Sequence, residues 1–237
     1  MKKLKINAYT HSKQVYEYQP IVTKQWKPTW WKNLTTMYKI YHSKSGVMVP
    51  TPTVKACPGI TQYMQKAIIM RMWSDVILKI KPDGKVTSVA PLHNLNAVSS
   101  GIHEKAQYGD GLYPGFTVCK LESPWYFLAS DDTSFMNTEY HYDESLRKHG
   151  IQIAPGILNF KDQHATNIFL LIPLKDEEYE IELKFGQPLM ALFPMTDKQV
   201  EIKNHYVKDP VEWNELNNIF PNTFLGRYYA GKHARNK

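Results

Sequence analysis

Cysteine is scarce in this chain of 237 residues, with only Cys57 and Cys119 present. Two thiols far apart exclude a disulfide framework and a multi-cysteine metal site, and a reducing compartment is the simplest expectation. No apolar run approaches the ~18 residues of a membrane span. The lysine-rich start, residues 1–5, is followed by polar residues rather than an apolar segment, so neither a signal peptide nor a membrane contact is expected. A phosphate-binding Gly-rich loop, a Gly-x-Ser-x-Gly elbow and a Cys-x-x-Cys pair are all missing. Their absence removes the commonest signatures of nucleotide, acyl-transfer and thiol-redox chemistry. Internal repeats and low-complexity tracts are missing too, which excludes a solenoid.

What the chain does have is aromatic weight. Fifteen Tyr and six Trp, in a chain that is 43% hydrophobic and 22% charged, suit strands and adhesive surfaces more than a helical bundle. The length allows one large β domain or two small ones. The net charge of +7 is unevenly placed. Residues 1–44 carry nine Lys against Glu17, or +8, and residues 224–237 carry Arg227, Lys232, Arg235 and Lys237, or +4. The body between them is therefore −5. Basic ends of this kind either contact nucleic acid or an acidic protein surface, or simply stay solvated.

The patterning is β. Residues 178–184 alternate strictly, with Tyr179, Ile181 and Leu183 on one side and Glu178, Glu180, Glu182 and Lys184 on the other, so a strand with one wet face is expected. Residues 167–172 and 189–193 are apolar runs bounded by Pro and Gly, as in strands buried between two layers. Lys81-Pro82-Asp83-Gly84-Lys85 predicts a hairpin turn, because Pro fixes φ, Asp caps and Gly accepts the left-handed position. Further strands are expected over 15–22, 37–42, 67–72, 75–81, 116–121, 125–129 and 138–142, with loops over 43–52, 91–114 and 130–137. A short helix is expected over 60–66. Asp209-Pro210-Val211-Glu212 reads as the start of a C-terminal helix, with Asp209 as its cap. The expected fold is one antiparallel β-sandwich, of jelly-roll type, with a few short helices. Its organisation is a basic, aromatic-bearing arm over 1–44, a sandwich over 45–205, and a helical segment with a basic tail over 206–237.

Few constellations carry chemistry. In His141-Tyr142-Asp143, residues i and i+2 of a strand face the same way, so His141 and Asp143 could supply two ligands of a ferrous facial triad. His205 or His164 would be the third ligand, with Arg227 for a co-substrate carboxylate; that alternative is a cupin-like or iron-dependent oxygenase. The two-residue match is permissive, and no cofactor is expected. Cys57 precedes a turn and a helix start and could be an activated nucleophile, but no base is placed to serve it, and a buried thiol is the plainer expectation. The acidic pairs Asp131-Asp132 and Glu177-Glu178 read as solvated turns rather than catalytic carboxylates. Trp26, Lys27, Trp30, Trp31 and Lys32 form either a stacking and cation–π surface, or tryptophans that cap the core edge while the lysines stay in water.

Several pieces recur in one order: Pro28-Thr29-Trp30-Trp31-Lys32, residues 53–60 (Thr-Val-Lys-Ala-Cys-Pro-Gly-Ile), Met72-Trp73-Ser74-Asp75, Ser123-Pro124-Trp125, Pro155-Gly156-Ile157, and Gly186-Gln187-Pro188-Leu189 with Phe193-Pro194. Together they resemble an uncharacterised, β-rich family of tailed-bacteriophage proteins common in marine phages, over residues 26–203. The resemblance implies a phage origin and a compact β domain, and names no reaction. Members of that family tend to carry Gly-Tyr-Ser after the Pro-Trp and acidic residues after the Pro-Gly. Here residues 130–135 and Asn159-Phe160-Lys161 stand in those places, which speaks against a catalytic role for the missing groups. The expectation is a structural component of the virion, made in the host cytoplasm, that contacts other virion proteins or copies of itself. Its contact residues would be Trp26, Lys27, Trp30, Trp31, Lys32, Glu180, Glu182, Arg227, Lys232 and Arg235. Contact with DNA through the basic ends makes a nucleic-acid binder the remaining alternative.

Overall fold

The computed structural model describes residues 3–17, 21–22, 27–89, 100–102, 113–161 and 165–213. The protein is mainly β, built from several largely antiparallel sheets with a few short helices. In chain order the strands are β1 Lys3–Thr10, β2 Ile21–Val22, β3 Met37–His42, β4 Val47–Pro52, β5 Ile68–Arg71, β6 Val76–Ile80, β7 Val86–Val89, β8 Ser100–Ile102, β9 Phe116–Ala129, β10 Ser134–Glu139, β11 Gln152–Ile153, β12 Gly156–Asn159, β13 Ala165–Pro173, β14 Tyr179–Leu183, β15 Pro188–Pro194 and β16 Gln199–Tyr206. The helices are α1 Lys13–Glu17, α2 Thr29–Asn33, α3 Pro58–Lys66 and α4 Glu144–Arg147.

One sheet runs β11-β13-β9-β1-β16, with β8 added beside β9; a second runs β12-β10-β15-β5-β2; a third is β14-β6-β7. Alternation drives all three against one core. Leu4, Ile6 and Ala8 of β1, Leu170 and Ile172 of β13, Met70 of β5, Leu192 of β15, Leu78 of β6 and Ile181 of β14 all enter the same apolar cluster. The rings of Phe127, Phe135 and Phe160 meet near its centre. Among the described residues every strand pairing is antiparallel except β1 with β16.

Local chemistry explains the joins. Lys81 N–H donates to the Lys85 carbonyl at 2.9 Å, Asp83 accepts from Lys85 N–H, and Gly84 takes φ +84°. The turn expected there closes β6 onto β7. Around Pro124 the chain does not break: β9 passes through it with a register shift against β13, and the Ser123 hydroxyl takes the Trp125 N–H at 3.2 Å. A bulge is where a strand tolerates a proline, so the two strands expected at 116–129 are one.

Several expectations are corrected. Residues 1–44 are not an arm: β1 is an interior strand between β9 and β16, because Lys3, Lys5 and Asn7 alternate with fully buried Leu4, Ile6 and Ala8. The boundary at 45 falls inside the β3–β4 hairpin, since 47–52 is strand rather than loop. Of the strand expected over 15–22, residues 15–17 are helical and Ile21–Val22 is strand. Residues 134–137 are not an exposed connection, for Phe135 and Asn137 are buried in β10, the strand between β12 and β15. The C-terminal helix begins as expected, with Asp209 accepting from Val211 N–H at 2.9 Å and Pro210 following it. Residues 214–237, over which the expected helical segment and basic tail extend, lie outside the described residues.

Candidate functional site: an exposed β-hairpin on an aromatic base

The β3–β4 hairpin forms a sheet of its own. Its sequence, Met-Tyr-Lys-Ile-Tyr-His and Val-Met-Val-Pro-Thr-Pro, is as apolar as a core strand, yet it enters neither core cluster. Tyr41 is 62% exposed, Val47 54% and Met48 52%, while Met37, Tyr38, Ile40 and Val49 are also exposed. Alternation puts Tyr38, Ile40, His42, Val47, Val49 and Thr51 on one face and Met37, Lys39, Tyr41, Met48, Pro50 and Pro52 on the other. Each face is mostly apolar and uncovered. A two-stranded hairpin alone is marginal in water, and a contiguous apolar surface of this kind marks a contact site.

The hairpin is anchored at its foot. Thr53 hydroxyl donates to the Thr35 carbonyl at 2.6 Å, and Thr53 N–H donates to the Thr36 carbonyl at 2.9 Å. The Lys55 ammonium caps the carbonyls of Lys32 and Leu34 at the end of α2. At the other end, Gly46 N–H donates to the His42 carbonyl at 2.9 Å with Gly46 at φ +68°, a left-handed position that suits Gly.

Beneath the foot lies a second, smaller core of Trp31, Met64, Ala67, Ile69, Tyr140 and Ala191, flanked by Tyr63, Tyr142 and Phe193. Trp31 is 5% exposed and Trp30 40% exposed, with the Trp30 indole N–H on the Tyr142 carbonyl at 2.9 Å. Tyr63 hydroxyl donates to the Glu139 carbonyl at 3.4 Å and accepts from His141 N–H at 3.2 Å. Burial, more than the neighbouring charges, pushes the Tyr63 phenol up to about 12. The Tyr140 phenol is raised by the same cause, and its hydroxyl rests on the Met64 sulfur at 2.8 Å. Trp31 therefore caps a core edge, whereas Trp30 is exposed, so among the described residues one tryptophan of the run does so. Lys32 is exposed and Lys27 half-buried. Trp26, Arg227, Lys232 and Arg235 lie outside the described residues, as does His164.

Among the described residues the facial triad does not assemble. His141 sits in a turn after β10, not on a strand, so the alternation argument fails there. Its Nδ1 pairs with Glu139 at 2.9 Å, while Asp143 caps α4 by accepting from Ser145 N–H at 2.8 Å. His205 belongs to β16, stacked on Tyr9 with centroids 4.6 Å apart and held to Asn7 Oδ1 at 2.9 Å. Among the described residues no group of three or more His, Cys, Asp or Glu side chains is placed to hold a metal. Asp131 serves Lys198 and Thr133, and Asp132 serves Asn159, so these acids are spoken for as well. Cys57 is exposed rather than buried, and Cys119 is the buried thiol, pushed up to about 12 by desolvation.

The wet face of β14 is as expected, but its acids have local partners. Glu180 meets Lys79 of β6 at 2.7 Å and Glu182 meets Lys184. Alternation in 178–184 revealed the strand; the cross-strand lysine that neutralises it needs the pairing of β14 with β6. Among the described residues no helix is long and apolar enough to cross a membrane. The fold and its surfaces thus define a mainly β protein with a projecting apolar hairpin. Neither a protein-family model nor any curated protein matches the chain.

Proposed function

We propose that this protein is a structural component of a tailed-phage virion, a capsid, neck or tail accessory protein that works through protein–protein contacts. The observation that carries the reading is the β3–β4 hairpin, apolar on both faces and clamped in place by Thr53 and Lys55. An element that is ordered before contact loses less conformational entropy on binding, so its apolar area converts more fully into affinity. The phage assignment is supported by the ordered sequence pieces over residues 26–203 that resemble tailed-phage proteins. In this reading the protein is made in the host cytoplasm and ends in the particle.

Mass spectrometry of purified virions is the test: the protein is expected in the particle, and its absence there overturns the reading. Particles from phage carrying Ile40→Lys with Val49→Lys are expected to lack the protein while the variant still accumulates folded in the host.

A further inference from the structure

The hairpin has two edges, and they are not equivalent. Pro50 and Pro52 both lie in β4, yet β4 keeps register with β3 at all six positions from Met37↔Pro52 to His42↔Val47. Proline has no N–H to give to a ladder, so two prolines two residues apart in a paired strand must both turn their nitrogens away from β3. The outer edge of β4 thereby lacks two donors and is closed to strand addition. The outer edge of β3 keeps every N–H donor, although the Met37 carbonyl already accepts from the Thr35 hydroxyl at 2.8 Å. There the backbone N–H and C=O groups of Met37, Lys39 and Tyr41, partners of Pro52, Pro50 and Met48, point outward.

This edge is complementary to itself. In an antiparallel pairing of two β3 strands, residues whose groups point outward must face each other, so odd positions meet odd positions. A two-fold axis at Lys39 sets ammonium against ammonium, which disfavours that register. Moving the axis to Ile40 sets Lys39 opposite Tyr41 in both halves, a reciprocal cation–π pair. The same register puts Ile40 against its own copy and Tyr38 against His42. The hairpin's own charge is small, Lys39 and Lys44 with no acid between 37 and 52, too little for a phosphate-tracking ribbon. The apolar faces fit a second protein surface of the same kind.

We infer that the open edge of β3 pairs with β3 of a second copy of this chain, joining two hairpins into a continuous four-stranded sheet with its two-fold axis at Ile40. The inference rests on the reading of the hairpin as the contact element and names its partner. Such a contact is isologous and closed, as in most homodimers, and it removes the marginality of a lone hairpin.

Ile40 then occupies a pair whose Cβ atoms lie about 4.5–5.5 Å apart, near enough for a disulfide to form with small adjustment. In a Cys57→Ser background, Ile40→Cys is expected to yield a disulfide-linked dimer on mild oxidation, from a protein that is dimeric by light scattering. Tyr41→Lys places like charges opposite each other and is expected to weaken the dimer at least about tenfold. Adding Lys39→Glu to Tyr41→Lys restores opposite charges and is expected to restore the dimer. Circular dichroism of each variant confirms that these surface changes leave the fold intact. A protein monomeric at all concentrations, with no Ile40→Cys cross-link, overturns the inference, as does a dimer cross-linked through Lys39→Cys but not through Ile40→Cys. A monomer that still depends on the hairpin for entry into virions overturns self-pairing alone. A dimer joined at Ile40 that never enters virions overturns only the phage reading.

Discussion

The Thr53 hydroxyl donates to the Thr35 carbonyl at 2.6 Å, across the mouth of the hairpin. The same oxygen accepts from Lys55 N–H at 3.3 Å and starts the 3-10 turn Val54–Ala56. Thr53→Val keeps the shape and removes these bonds together with the longer one to the Thr36 carbonyl at 3.2 Å, for an expected loss of about 1–2 kcal/mol. Limited proteolysis should show cleavage gained within residues 35–53, with the main core still protected.

Tyr63 joins α3 to the turn after β10 through Glu139 and His141. Tyr63→Phe is expected to cost about 1 kcal/mol, read as a lower midpoint in urea. The phenol also has a pH signature. Its folded pKa, about 12, lies above the ordinary value of 10.0, so the folded state holds the proton longer. Its contribution is full below about pH 10 and is lost as pH rises toward 12. Absorbance titration should show a late-ionising tyrosine that disappears in the variant.

His205 is held below the ordinary value of 6.5, first by burial and then by Lys203. A base with a lowered folded pKa binds its proton more readily when unfolded, so stability falls as pH drops below about 6.5 and levels off beneath the folded value. His149 shifts the same way, from burial and from Lys148 and Lys175. His205→Gln, which retains a donor for Asn7, is expected to make the acid decline shallower without abolishing it. Thermal melts across that range give the measurement.

The two thiols should separate cleanly. Cys57 is exposed, whereas Cys119 is 1% exposed and its thiol is pushed up to about 12. A thiol reagent is expected to modify one cysteine in the native protein and the second only after denaturant is added; two fast thiols would contradict the burial of β9.

Sequence periodicity carries information about what each strand buries, and little about which strand lies beside it. The alternation at 178–184 and the Pro-Asp-Gly turn at 82–84 are local signals, and both appear in the fold where expected. Residues 3–10 alternate equally well, but nine lysines in the first 44 residues masked an interior strand. Its neighbours, β9 and β16, come from far along the chain. Pro124 looked like a terminator because its bulge depends on β13, and 134–137 looked like loop because polar Asn137 is buried with its side-chain amide on the Ala154 carbonyl at 3.0 Å. For the site, the tryptophan–lysine run pointed to the right neighbourhood and named Trp30 and Trp31. It missed the hairpin, because Pro50, Pro52 and Gly46 in 43–52 read as loop chemistry. The unbroken β3 pattern beside two prolines spaced by two was the available signal.

The parallel pairing of β1 with β16 matches Lys3 to Gln199 and Thr10 to Tyr206. During synthesis β1, carrying Leu4, Ile6 and Ala8, is made long before its parallel neighbour β16. Contacts of such long sequence separation close slowly. A nascent chain can pair β1 with β9 once residue 129 is made, but it carries the other edge of this half-apolar strand open until residues 199–206 follow. A chain released before residue 199 retains that open edge, which makes truncated products the form most prone to aggregate.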